Sequence, residues 1–252
     1  MNLISKQDAT GQGLLSLLQP RGQGRLFSGL AALTLVGGWL SVSRLSTPVW
    51  VAAAAGLGLL AIPAVLKWRA DYERLGAPLT VLSVLLVAQA LHTIEHVAQW
   101  SQYHLLGWPL KASSGLISPL NAEVVHFSWN LGVLLAVAYL LAAGQRSRWM
   151  WLLGAWAGAH TAEHIYLFVN YLQAIWELRT VGLPLDTAQG QPGFFGAGGW
   201  LATNAPATGP VAWLCQVAPG LVEAPRLDVH FWWNAGELAF LLPAAHTARR
   251  TP

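Results

Sequence analysis

A short pattern of two histidines and a glutamate occurs twice in this chain. Residues 92–103 read HTIEHVAQWSQY, and residues 160–171 read HTAEHIYLFVNY. A second block is repeated in the same order, because VHFSWN at 125–130 matches VHFWWN at 229–234. Two matched blocks in one order indicate an internal duplication rather than a chance resemblance.

These side chains have the types and the spacing of metal ligands. Residues three and four apart share one face of a helix, so each pattern forms a polar stripe. The predicted metal ligands are His92, His96, His126, His160, His164, His230, Glu95 and Glu163. Residues on the same faces are predicted to support the site or to bind as additional ligands: Glu123, Asn130, Asn234, Glu237, Tyr103 and Tyr171. No catalytic residue is assigned.

A nitrogen-rich ligand set with added carboxylates favours transition metals over magnesium or calcium. Iron or copper is the preferred prediction, with zinc or haem b as alternatives. A two-fold repeat yields either two equivalent ions or one ion on the axis. Glu95 and Glu163 would bridge the ions or orient the histidines. Four-helix di-iron proteins are similar in logic, since they hold two metals between carboxylates and histidines of facing helices.

Four functions are compatible with such a site. The preferred one is an oxidoreductase that acts on a small apolar or gaseous substrate. A b-type haem protein for electron transfer is the second, because paired histidines on facing helices ligate haem. A zinc hydrolase is the third, since His-x-x-Glu-His matches the inverzincin pattern. A metal or proton transporter is the fourth, and a purely structural polar network is the non-functional alternative.

The elements that position these residues are predicted to be membrane helices. The chain is 54% hydrophobic and only 10% charged, whereas soluble domains average about 25% charged residues. Crossing a bilayer takes about 20 mostly apolar residues. Six segments qualify, at approximately 26–44, 48–67, 79–102, 122–143, 149–174 and 228–246. The predicted fold class is therefore an all-α polytopic membrane protein.

The duplication organises the last four predicted spans. Residues 79–143 form repeat 1 and residues 149–246 form repeat 2, each a helical hairpin. Because the first helices of both copies run in the same direction, the copies are parallel repeats that form a pseudo-two-fold four-helix bundle. The spans within 26–67 have no counterpart and are predicted to lie at its periphery. The Gly- and Pro-rich segment 175–227 is predicted to be an irregular outer lid.

Loop charges predict the orientation in the cell (inner) membrane. With six spans, ten of the 14 Lys and Arg residues fall on the side of the two termini. Cytoplasmic loops carry the excess of basic residues. Both termini, including the segment 1–25, are therefore predicted to be cytoplasmic. The histidine layer would then lie in the outer half of the bilayer.

The preferred function resembles that of integral-membrane hydroxylases and desaturases in ligand type, although their His-x-x-x-His-His boxes are absent here. The expected partners are the lipid bilayer and an electron donor or other membrane subunits. Nucleic acid is not an expected partner, because the basic residues are spread along the loops instead of forming a cluster interleaved with aromatic residues.

Overall fold

The computed structural model describes residues 13–248, and within that range the protein is helical and contains no strand. Six long helices form its framework: α2 (Gly24–Leu45), α3 (Val49–Leu75), α4 (Ala77–His104), α5 (Glu123–Ala142), α6 (Arg148–Val181) and α10 (Arg226–His246). Four short α-helices complete it: α1 (Leu14–Leu18), α7 (Trp200–Asn204), α8 (Pro210–Val217) and α9 (Gly220–Glu223). Positions 1–12 of the predicted cytoplasmic segment, together with Arg249 and Arg250, lie outside the described residues.

The long helices occur at the six places where spans are predicted. Four of them, α2 to α5, are long and apolar enough to cross a membrane. The all-helical, membrane-type fold is thus confirmed. Helices α6 and α10 do not meet the same criterion, because they carry more polar side chains, among them His160, Glu163 and His164 on α6. Their membrane crossing stays a prediction.

Two connections differ from the predicted ones. The loop expected at 68–78 is reduced to Gly76, because α3 continues to Leu75 and α4 begins at Ala77. Gly76 has φ of +81°, which a residue without a Cβ adopts at no steric cost. The predicted irregular lid is also partly helical, since α6 extends to Val181 and three short α-helices follow within the segment.

The chain divides into two compact units, and the division passes through four of the long helices. One unit contains the described residues up to His92, Leu135–Gly154, and those from Glu237 onward. Its core is aliphatic, with side chains from α4, α5, α6 and α10 that are almost fully buried. Among them are Leu82, Leu86, Val137, Leu140, Met150, Leu153 and Leu241.

This unit also holds a buried ionic cluster around Asp71, which is 0% exposed. Lys67 lies one helical turn away and pairs with Asp71, and Arg21 donates to the same carboxylate at 2.7 Å. The ammonium of Lys67 also donates to the carbonyl oxygen of Leu17 at 2.6 Å. These contacts satisfy the buried charges and attach α1 to α3.

The other unit contains Thr93–Leu134 and Ala155–Gly236. It includes the final turns of α4, the first turns of α5, most of α6, the first turns of α10 and the connecting segments between them. Five of the six predicted histidine ligands belong to this unit. The sixth, His92, belongs to the first unit, whose segment of α4 ends at this residue. The internal geometry of this unit therefore determines what the site can do.

Candidate metal centre

Helix α4 presents two histidines one turn apart. His92 and His96 lie on continuous helix, and a ring nitrogen of each lies within 4.8 Å of the other. A nitrogen of His96 lies equally close to one of His126 on α5. His96 is thus shared by two close pairs, and the three imidazoles form a group that could hold a metal ion.

Four imidazoles from four helices cluster in the second unit. His96, His126, His164 and His230 are each at most 5% exposed. Their ring centroids are separated by 5.5 Å for His96 and His126, and by 5.0 Å for His164 and His230. The separation is 6.0 Å for His96 and His230 and 5.6 Å for His126 and His164. Imidazoles bound to one ion, with metal–nitrogen bonds of about 2.0–2.1 Å, have centroids about 5 Å apart. The shortest of these separations, those of His96 with His126 and of His164 with His230, are close to that value and join histidines of the same hairpin.

A fifth imidazole joins this cluster from α6. His160 Nε2 and His164 Nε2 are 3.1 Å apart. Two nitrogens at that distance, each about 2.1 Å from a shared ion, subtend an angle of about 95° at the ion. Histidines at i and i+4 of a helix are a common chelating pair. Trp233 stacks on the His160 ring at 5.2 Å and fixes its orientation.

His230 has the tautomer and the environment of a metal ligand. Its Nδ1 donates to the carbonyl oxygen of Arg226 at 2.9 Å, so its Nε2 carries the lone pair. Within residues 13–248, this buried Nε2 has no hydrogen-bond partner. An unsatisfied buried acceptor costs free energy, and a bound cation would remove that cost.

His96 is oriented by a chain of amide groups. Its Nδ1 donates to Gln99 Oε1 at 2.9 Å, and Gln99 Nε2 donates to Asn121 Oδ1 at 2.5 Å. Asn121 in turn donates to the carbonyl oxygen of Ser114 at 2.6 Å. Such hydrogen bonds fix the tautomer and the ring orientation of a metal-binding histidine.

Each glutamate of the repeated pattern binds the loop that follows its own helix. Glu95 accepts hydrogen bonds from the backbone N–H groups of Leu116 and Ile117, at 3.0 and 2.8 Å. Glu163 Oε1 accepts from Phe194 and Phe195, at 3.0 and 3.4 Å. Each glutamate is thus bound by a loop of its own hairpin. The second oxygen of Glu163 is buried, and none of the described residues hydrogen-bonds to it.

A glycine lies against each of these carboxylates. A Cβ atom at Gly115 would be 2.1 Å from Glu95 Oε1, and one at Gly193 would be 2.0 Å from Glu163 Oε1. Any side chain at either position would therefore displace the carboxylate from the loop. The Gly-apolar-apolar sequences at 115–117 and 193–195 match this geometry in both loops.

The other predicted supporting residues have different partners. Asn130 and Asn234 donate to the carbonyl oxygens of His126 and His230 on their own helices, both at 2.9 Å. The hydroxyl of Thr161 donates to the carbonyl oxygen of Asn130 at 3.2 Å, and that of Thr93 to the corresponding oxygen of Asn234 at 3.5 Å. The asparagine side chains therefore bond within their own helices, and the threonines link neighbouring helices through the backbone of the asparagines.

Glu123 forms a nearly buried bidentate ion pair. Its two oxygens accept from Arg226 at 2.6 and 2.8 Å, and the N–H of Gly190 donates to it at 3.2 Å. The pair joins the beginnings of α5 and α10. Since the carbonyl oxygen of Arg226 also holds His230, this ion pair positions a histidine of the cluster.

Three further predicted residues have observed partners other than the predicted ligands. Glu237 belongs to the first unit, where it accepts from Gln89 at 2.7 Å. The ring of Tyr103 contacts His104, and that of Tyr171 contacts Phe168, each on its own helix.

A polar cavity of about 670 Å³ reaches the cluster. Its walls include the imidazoles of His96, His126 and His230, together with Arg226 at the start of α10 and Lys111 of the loop after α4. A metal held by these rings would therefore have a route to water or to a small polar molecule. An accessible position of this kind distinguishes catalytic metal sites from closed structural ones.

Several residues of the site are not among the predicted ones. Arg226 counts as an ordinary loop charge in the sequence, although it lies one turn before His230. Gln99 lies on the predicted stripe of α4, and the two threonines are shared by both copies of the repeated pattern. The position of Gln99 on the stripe and the repetition of the threonines could have identified these three residues. No local pattern in the sequence pairs Asn121 with Gln99.

Five imidazoles and their supporting hydrogen bonds thus form a buried polar site. Comparison with protein-family models, with curated proteins and with solved structures finds no match for this chain. The function is therefore inferred from the residues of the site.

Proposed function

We propose that this protein is an integral-membrane oxidoreductase whose histidines bind two transition-metal ions. Each ion would be held by three histidines of one hairpin: His92, His96 and His126 for the first, and His160, His164 and His230 for the second. The observation that carries the proposal is the buried Nε2 of His230, which faces the cluster with its tautomer already fixed.

Matched contacts support the assignment of two equivalent halves. Thr93 bonds to α10 and Thr161 to α5, at corresponding backbone positions. Trp100 contacts Phe231 just as Phe168 stacks on Phe127, at 5.6 and 4.6 Å. In each matched pair, the second contact is the first one with the roles of the two hairpins exchanged. A two-fold axis along the bundle produces such pairs of contacts. We infer six membrane spans for the same reason, since α6 and α10 are the partners of α4 and α5.

The ligand chemistry favours redox metals. Imidazole nitrogen suits iron, copper and zinc better than hard cations. Haem is disfavoured, because its iron takes one histidine on each side and would leave the other imidazoles of the cluster without a role. The residues fit individual ions, which would supply electron transfer or the polarisation of a bound small molecule.

Zinc hydrolysis is also disfavoured, since a hydrolase of the His-x-x-Glu-His type needs its glutamate as a base. Both oxygens of Glu95 are bound to loop N–H groups, and Glu163 commits one of its oxygens in the same way. These carboxylates act as anchors for the loops, which close the site, while the polar cavity leaves one face of the cluster accessible.

Metal analysis of the purified protein tests this function. We expect about two iron or copper ions per chain in the wild type. In His230→Gln the content should fall to about one ion or less, because Nε2 is removed from one ligand set. His246→Gln is the matched control, an exposed histidine near the end of the same helix, and should retain the wild-type content. Wild-type metal content in His230→Gln would reject the assignment of this ligand.

A further inference from the structure

A second cavity, of about 610 Å³, lies in the same unit and has aromatic walls. Trp156, Trp232 and Trp233 line it from the long helices, together with Phe195 from the loop that binds Glu163. Its volume is in the range of pockets that take drug-sized molecules. Its position matters because Trp233 also stacks on His160, at 5.2 Å with the planes 5° apart. One indole therefore separates this cavity from a predicted metal ligand.

The aromatic walls are held in fixed orientations. Trp156 Nε1 donates to the carbonyl oxygen of Trp233 at 2.9 Å, and the two indole rings are 4.9 Å apart. A Cβ at Gly236 would be 2.3 Å from the Trp156 ring, so the absence of a side chain there lets the indole lie against α10. Rigid indole walls favour a flat aromatic occupant.

The opposite wall comes from the segment that contains α8 and α9. Ala218, Gly220 and Leu221 line the cavity, and the preceding helix α8 exposes apolar side chains. Val211, Trp213, Leu214 and Val217 are between 41% and 62% exposed. A short helix with such a face is suited to a membrane surface, where apolar side chains enter the lipid. Because the segment that follows this helix lines the cavity, a helix docked on lipid would bring the cavity next to molecules dissolved in the bilayer.

Asp228 is the one charged residue lining this cavity. Its carboxylate is bound to His104 Nε2 at 2.7 Å, which leaves further acceptor capacity on its oxygens. A carboxylate at the edge of an aromatic pocket selects for a ligand that carries a hydroxyl donor. Carbonyl or ether groups on the same ring cannot donate to it.

We propose that this cavity binds a lipid-soluble phenol: a flat aromatic ring whose hydroxyl donates to Asp228 and whose apolar tail extends towards the bilayer. The proposal deepens the proposed function, since it places the organic substrate of that metal centre next to His160. The polar cavity on the other face of the cluster would serve a different, small and polar molecule.

Binding of 4-octylphenol to the protein in lipid nanodiscs tests the proposal, with tryptophan fluorescence as the readout. The ligand control is 4-octylanisole, whose methyl ether lacks the hydroxyl donor. We expect saturable quenching by the phenol, with affinity about 10-fold above that of the ether, as expected for one hydrogen bond to a charged group. Asp228→Leu should abolish that preference, because leucine has no acceptor for the hydroxyl. Equal affinity for the two ligands in the wild type would overturn the assignment of the phenol class.

Two variants test the location of the binding site. Ala218→Trp and Ala224→Trp each place an indole in the cavity, and each should weaken phenol binding at least 10-fold. Ala54→Trp adds the same chromophore at an exposed position of α3 and should bind like the wild type. Unchanged binding in both cavity variants, or no saturable binding in the wild type, would overturn the site.

Metal content measured on the same samples separates this proposal from the proposed function. Metal-free protein that still binds the phenol would reject the metal centre and retain the phenol site. Metal-loaded protein that fails to bind the phenol would reject the phenol site alone.

Discussion

At the scale of single residues, the site depends on which ring nitrogen each histidine presents. A carbonyl oxygen accepts from Nδ1 of His230, and an amide oxygen accepts from Nδ1 of His96. For His230 this leaves a buried Nε2 without a hydrogen-bond partner among the described residues. The two histidines, one in each hairpin, are thus oriented by different groups, and neither group belongs to the predicted ligand set.

Gln99 provides a test of this orientation. Replacing it with leucine keeps the size of the side chain and removes the acceptor for His96 Nδ1–H. Loss of such a supporting hydrogen bond typically weakens metal binding by about 10- to 100-fold. We expect a shift of that size in the metal dissociation constant of Gln99→Leu, measured by competition with a chelator.

Gln173→Leu is the matched control, because Gln173 is exposed on α6. Its dissociation constant should equal that of the wild type. An unchanged constant in Gln99→Leu would mean that His96 is not a ligand, or that its ring is held by other contacts.

At the scale of elements, the two loops are attached to the helices through carboxylates. Glycine is required where each loop crosses its glutamate, because a Cβ at Gly193 would be 2.0 Å from Glu163 Oε1. A carboxylate that accepts backbone N–H groups fixes the loop against the helix that carries the histidines.

Gly193→Ala should release the second loop. The substitution displaces the carboxylate and breaks its bonds to Phe194 and Phe195, at a cost of about 2 kcal/mol. We expect faster hydrogen exchange across residues 185–225 and a lower unfolding temperature. Gly220→Ala lies in the same segment and its Cβ would meet open space, so its exchange should match the wild type. Equal exchange in both variants would contradict the anchoring role of Glu163.

The sequence predicts the helices well, since they follow from periodicity, and repetition points to the histidines that lie close together. Six apolar stretches and two copies of one pattern are local signals, and the long helices occur where they indicate. The roles of the glutamates do not follow in the same way. Glu95 and Glu163 are expected to bind or orient metal ligands, yet their observed partners are loop N–H groups that are distant in sequence. Long-range partners of this kind, like Arg226 for Glu123, leave no periodic trace in the sequence.

At the scale of the whole molecule, orientation in the membrane decides which solution reaches the polar cavity. The excess of basic residues on the side of the termini predicts that the segment from α7 to α9 faces outward. The lone cysteine, Cys215 on α8, is partly exposed and reports on that prediction directly.

Intact cells should therefore label Cys215 with a membrane-impermeant maleimide. In a Cys215→Ser background, Arg146→Cys places a thiol in the connection between α5 and α6, and should react only after the cells are permeabilised. The reverse pattern would invert the topology and place the polar cavity on the cytoplasmic side.

The central claim is that buried imidazoles hold transition-metal ions, and X-ray absorption at the edge of the metal found in the purified protein tests it most directly. The expected spectrum shows nitrogen neighbours at about 2.0–2.1 Å, with the outer-shell scattering of at least three imidazole rings per ion. A first shell of oxygen or sulfur without imidazole scattering, or protein that contains no metal, would contradict the claim.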